Sequence, residues 1–122
     1  MAAPNIVNVS SIYGKTVAAA LTTTLTTDIL TCASDKVLKI NSIIVANVDG
    51  LSAADLTTHF YDAGTTTTFT IAKDIEVAGG TTLVVLGKDA PIYLEEGDKI
   101  QAGASAANDL EIIISYEELD DA

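Results

Sequence analysis

Short runs of Thr, Val, Ile and aromatic residues recur along the whole chain, and Gly, Asp and Asn separate them. β-branched and aromatic side chains favour strands, and the intervening residues favour turns. The turns return at a spacing of roughly 8 to 12 residues, which is typical of an all-β sandwich or barrel with short strands. We therefore predict an all-β fold, an antiparallel, jelly-roll-like β-sandwich of about nine short strands.

Strict alternation is clearest from Val37 to Val48, where the even-numbered positions carry most of the large apolar side chains. Alternation also predicts a hairpin that pairs Asp55–Tyr61 with Thr66–Ile71. Lys15–Leu21 is ambiguous, because its alanines favour a helix. The residues that share the apolar phase of their strands, and that we predict to form the core, are Leu38, Ile40, Ile44, Leu56, Phe60, Phe69 and Ile71.

A chain of 122 residues is long enough for one domain with its own core. No shift in composition marks a boundary, and no internal repeat is evident. We predict a single β-sandwich domain over residues 1–122. An N-terminal arm is expected over about residues 1–14, and a short acidic tail over 117–122.

Acidic residues outnumber basic ones by 17 to 6, no arginine is present, and the net charge is −11. Nucleic acids and anionic membranes select clustered Lys and Arg, so neither is expected as a partner. The N-terminal sequence has no basic segment followed by a long apolar stretch, and no run is long enough to span a bilayer. We therefore expect synthesis in a cytoplasm.

Residues that carry chemistry are scarce, since the chain has one Cys, one His and no Trp. Cys32 is expected to be a small buried hydrophobe, and His59 to be a strand residue at a surface or subunit contact. A metal-dependent cupin would need several histidines, so we expect no enzyme, no small-molecule substrate and no cofactor. The turn with Glu95, Glu96 and Asp98 has the oxygen ligands for a calcium ion. Alternatively it is a solvated turn in which Gly97 takes a positive φ, the interpretation we favour.

Two segments, Leu83–Leu86 and Ile112–Ile114, are apolar at every position. Each strand of a two-layer antiparallel sandwich normally keeps one face in water, so these segments need a second cover. Another subunit provides it most simply, although loops of the same chain are the alternative. We predict a homo-oligomer, specifically a homotrimer. Its subunit or capsid interface is predicted at Leu83, Val84, Val85, Leu86, Ile112, Ile113 and Ile114.

Three segments, Lys39–Gly50, Ile92–Ile100 and Leu110–Tyr116, carry a resemblance to known proteins. Together they resemble small virion structural proteins of tailed phages, especially phages of marine bacteria and cyanobacteria, over roughly Lys36–Glu117. The Glu-Gly-Asp turn before a strand is similar to jelly-roll modules in general.

The resemblance implies a role in the virion, and it implies no catalytic residue. The role it favours is that of a capsid decoration or cement protein on the outer surface of the head, with the major capsid protein as partner. The alternative is a neck, tail or fibre component with a carbohydrate-binding or host-binding jelly-roll module.

Overall fold

The computed structural model describes residues 10–120, and within that range the chain forms nine β-strands and no helix. No helix able to cross a membrane is found in this part of the chain. The strands are β1 Ser11–Ala20, β2 Thr27–Thr31, β3 Lys36–Asn47, β4 Ala54–Asp62, β5 Thr67–Val77, β6 Thr82–Leu86, β7 Ile92–Leu94, β8 Lys99–Ala104 and β9 Leu110–Asp120.

The nine strands form two antiparallel sheets. Sheet A has the order β1-β9-β3-β6, and β7 pairs with β3 on the same side as β6. Sheet B has the order β2-β8-β4-β5. Apart from the β4–β5 hairpin, strands that pair are distant in sequence, and the chain passes repeatedly between the sheets. This strand order is that of a jelly roll, so the predicted fold class is confirmed.

The segment with ambiguous propensity, Lys15–Leu21, is almost entirely strand. β1 pairs with β9 without interruption from Ser11↔Asp120 to Ala20↔Glu111, and this tertiary pairing outweighs the helical preference of alanine. Residues 11–14, which we assigned to an arm, belong to β1. Residues 117–120 belong to β9 rather than to a tail. The rest of both predicted termini, residues 1–9 and 121–122, lies outside the described residues.

The core lies between the two sheets. Leu38, Ile40 and Leu56 are buried as predicted. Phe60 and Ile71 are partly buried and pack against the same cluster. Strands β8 and β9, at the centre of their sheets, add the fully buried side chains Ile100, Leu110, Ile112 and Ile114.

The prediction for Ile44 is wrong because of a β-bulge in β3. The pairing of β3 with β9 runs through Ile40↔Tyr116 and then Ser42↔Ser115, so one residue, Asn41, has no partner. An extra residue reverses the face of every side chain that follows it. Ile43 and Val45 therefore enter the core, whereas Ile44 is only half-buried on the opposite face.

The prediction for Phe69 is also wrong. Phe69 lies opposite Phe60, near the end of β5. Because β5 is the edge strand of sheet B, none of the other strands in residues 10–120 lies beyond it to cover this side chain. Phe69 is 53% exposed. Phe69 lies on the same face as Phe60, as alternation predicts. Burial also requires a neighbouring strand on the outer side of β5.

Candidate assembly surface

A row of apolar side chains crosses four of the five strands of sheet A, β1, β9, β3 and β6, on the face that points away from the core. The row is defined by the cross-strand pairs Ala18↔Ile113, Ile113↔Ile44 and Ile44↔Val84. Directly paired residues of antiparallel strands place their side chains on the same face. Val84 is 61% exposed and Ile113 is 37% exposed, so the row is open to solvent.

The rows on either side are made of small residues and one glutamate. One is Thr16, Ser115 and Ser42, and the other is Ala20, Glu111, Ala46 and Thr82. We call the three rows together the outer A face. Glu111 is its single charged residue. From a strand spacing of about 4.8 Å and a rise of about 3.3 Å per residue, the outer A face measures on the order of 300 Å².

A hollow lies in the outer A face beside β1. Its volume is about 240 Å³, and it is lined by Ala18, Ala19, Ala20, Glu111 and Ile113. It forms because the short side chains of Ala18 and Ala20 stand next to the larger Ile113, whereas Ala19 points to the core. The hollow lies at the edge of the sheet, since β1 is the outermost of the described strands.

The structure divides the seven predicted interface residues between two faces. Val84 and Ile113 belong to the outer A face. Leu86, Ile112 and Ile114 are buried in the core, and Leu83 and Val85 are half-buried and pack against it. The sequence prediction missed Ala18 and Ile44 as members of the same face. The unbroken apolar run Ile43-Ile44-Val45 was the available signal for Ile44.

The acidic turn is held by its own hydrogen bonds. Asp98 is buried, and its two carboxylate oxygens accept hydrogen bonds from the backbone N–H groups of Ala63 (3.0 Å) and Glu95 (2.9 Å). Gly97 takes a φ of +84°, as expected for this turn. Within residues 10–120, no three Asp, Glu, His or Cys residues converge in a way that could hold a metal ion. Glu95, Glu96 and Asp98 are therefore not brought together as a calcium site.

The outer face of sheet B is polar and carries the single histidine. His59 pairs with Gln101, and its Nδ1 atom is buried without a hydrogen-bond partner. Asp28 accepts hydrogen bonds from Gln101 Nε2 (2.8 Å) and Lys99 Nζ (3.0 Å), and these lower the pKa of its carboxyl group. The carboxylate of Asp28 is thus paired with neighbouring side chains of the same face.

Cys32 is 2% exposed, and its thiol donates a hydrogen bond to the backbone oxygen of Lys36 (3.2 Å). Burial raises the pKa of this thiol to about 11. Because only the thiolate is nucleophilic, we expect Cys32 in the folded chain to react with a disulfide reagent near pH 8 at least roughly a hundredfold slower than in the unfolded chain. The absorbance of the thiolate that the reagent releases measures the rate for the folded chain without guanidinium and for the unfolded chain with it. Equal rates would contradict the burial.

The chain was compared with known proteins at the level of families, curated sequences and solved structures. No family model matches the sequence. No curated protein matches it either. It is similar in structure to a solved Bacillus endospore appendage protein, one of a family of disulfide-linked pili. The TM-score is 0.54 at 17% identity, and the alignment covers 92% of this chain and 90% of that one. At this identity the likeness shows a shared all-β fold and no more.

Proposed function

We propose that this protein is a structural subunit of a virion, and specifically a decoration or cement protein on the outer surface of a tailed-phage head. The observation that carries the proposal is the outer A face, an open and nearly uncharged sheet surface in a strongly acidic chain. Solvated sheet faces normally carry polar side chains, and an apolar one indicates a contact with another protein.

The distribution of acidic residues supports a protein contact at the outer A face. Among the acidic residues within 10–120, Glu111 alone lies on the outer A face. Another protein can therefore approach this face with little like-charge repulsion, which elsewhere on the surface would cost affinity. We expect the landing surface on the shell, such as the major capsid protein, to be less acidic than this chain or basic. The remaining acidic surface would face outward, away from the packaged DNA.

The small area of the outer A face supports binding to the shell in many copies. A stable protein–protein contact buries about 800 Å² on each partner, and the outer A face offers on the order of 300 Å². One copy is therefore expected to bind weakly. Copies that are joined to each other bind a shell through several weak contacts at once, which raises the overall affinity without any new contact.

The structural neighbour is itself part of an assembled fibre, which is consistent with a structural role. Its family is described as disulfide-linked. The present chain has one cysteine, and that thiol is buried with a raised pKa. We therefore propose that contacts between its copies are non-covalent. Synthesis in the host cytoplasm followed by addition to the virion fits this scheme.

The proposal is tested by charging the outer A face. Val84→Asp and Ile113→Asp are each expected to abolish co-sedimentation with tailed-phage heads that lack the protein, because a carboxylate would have to be buried in the contact. Circular dichroism should stay unchanged, since both side chains point away from the core. The matched control is Phe69→Asp, which charges a similarly exposed apolar side chain on sheet B and should bind heads like the wild type.

Two outcomes contradict the head assignment. Binding of the wild-type chain to isolated tails but not to heads would support the neck, tail or fibre alternative, and a carbohydrate array would then follow. Equal head binding by all three aspartate variants would show that the outer A face is not the contact.

A further inference from the structure

We infer that two copies of this chain join through β1, whose free edge pairs antiparallel with β1 of the second copy about a two-fold axis at Ala18. This inference deepens the proposed assembly role by naming the contact between copies. It arises from the edges of the two sheets, where the strands of residues 10–120 leave backbone N–H and C=O groups facing outward without a partner strand.

Among the sheet edges in residues 10–120, β1 is the one suited to pairing. It is ten residues long and matches β9 without a register shift. β6 and β7 have five and three residues, and β2 has five with a bulge. β5 is long, but its pairing is interrupted twice and Asp74 takes a φ of +50°. Short, bulged or twisted edges resist pairing, and β1 has none of these protections.

The charge of β1 also suits a contact with an identical copy. In a chain with 17 acidic residues, the segment Ser11–Ala20 contains none. Its single charge, Lys15, is matched by Glu118 at 3.1 Å within the same subunit. Two copies that each carry a net charge of −11 repel one another, and β1 itself adds no acidic side chain to the contact.

Symmetry and side-chain direction favour Ala18 as the centre. A two-fold axis perpendicular to the sheet keeps both outer A faces on the same side, and it pairs Thr16 of one copy with Ala20 of the other. The two apolar rows then line up across eight strands, and the two outer A faces together have an area on the order of 600 Å². The two Lys15 residues stay six positions apart along the paired strands, roughly 20 Å. Centring on Thr16 would bring them within two positions.

Cysteine cross-linking tests the pairing and its register. Ala18→Cys is expected to give a disulfide-linked dimer in high yield under mild oxidation, because directly opposed residues have Cα atoms within about 5.5 Å. Thr16→Cys and Ala20→Cys lie on the same face of the same strand, yet each would be roughly 13 Å from its counterpart, beyond the reach of a disulfide. The wild-type chain, with Cys32 buried, supplies the background.

Equal yields at positions 16, 18 and 20, or no yield above background at any of them, would overturn the pairing. A sedimentation mass of three copies for the wild-type chain would also overturn it, in favour of the trimer expected from the sequence. Raising salt from about 0.01 M to about 0.15 M shortens the Debye length from about 30 Å to about 8 Å, so the yield should increase. A yield that falls with salt would contradict the charge argument.

The same variants separate this inference from the proposed function. A chain that binds heads but does not cross-link at position 18 would overturn the β1 pairing alone. A chain that cross-links there but binds no head or tail protein would support the pairing and overturn the virion role.

Discussion

Ile43→Ala is expected to destabilise the protein by about 2 to 5 kcal/mol, whereas Ile44→Ala should cost about 1 kcal/mol or less. The two residues are adjacent and chemically identical, so the contrast depends only on which face each one occupies. Ile43 is fully buried between the sheets, and its removal leaves a cavity. Ile44 is half-buried on the outer A face, where water can fill the space.

Urea denaturation of both variants at low protein concentration measures the difference in free energy of unfolding without a contribution from self-association. Ile40→Ala provides a reference on the other side of the bulge and should match Ile43→Ala in size. A larger loss for Ile44 than for Ile43 would mean that β3 alternates without a bulge at Asn41, and the outer A face would then lose its central residue.

Gly103→Ala is expected to destabilise the protein by about 1 to 3 kcal/mol, an unusual cost for adding one methyl group. Gly103 lies in β8, and a Cβ atom there would be 2.6 Å from both Leu25 Cα and Thr24 O. These are backbone atoms of the β1–β2 loop, so no side-chain rotation relieves the contact. The loop is also anchored, because the Ala104 N–H donates to Thr22 O at 2.9 Å. Relief therefore requires displacement of the loop from sheet B.

Gly14→Ala is the matched control, since a Cβ atom at Gly14 in β1 meets nothing within 4 Å. This substitution should be neutral or stabilise by up to about 1 kcal/mol, because alanine restricts the unfolded chain more than glycine does. Thermal unfolding of both variants followed by circular dichroism gives the comparison. Equal midpoints for the two alanine variants would show that the β1–β2 loop does not rest on Gly103.

The sequence by itself determined the fold class, because alternation with a period of two and closely spaced turns are local properties of a chain. Leu38, Ile40 and Leu56 were identified as core residues for the same reason. The two fully apolar segments, Leu83–Leu86 and Ile112–Ile114, were also informative. Each contributes one residue to the outer A face and its other residues to the core side. The fold class and these core residues follow without knowledge of which strands pair, whereas the division of the two apolar segments between the faces does not.

Only the tertiary structure decided the phase of β3 after Asn41, the conformation of Lys15–Leu21 and the exposure of Phe69. The bulge exists because β3 must pair with β9 on both sides of it, β1 is a strand because β9 lies beside it, and Phe69 is exposed because β5 is an edge. The outer A face is non-local in the same way. Its row brings together Ala18, Ile44, Val84 and Ile113 from four strands, and hydrogen bonding between strands distant in sequence is what places them side by side.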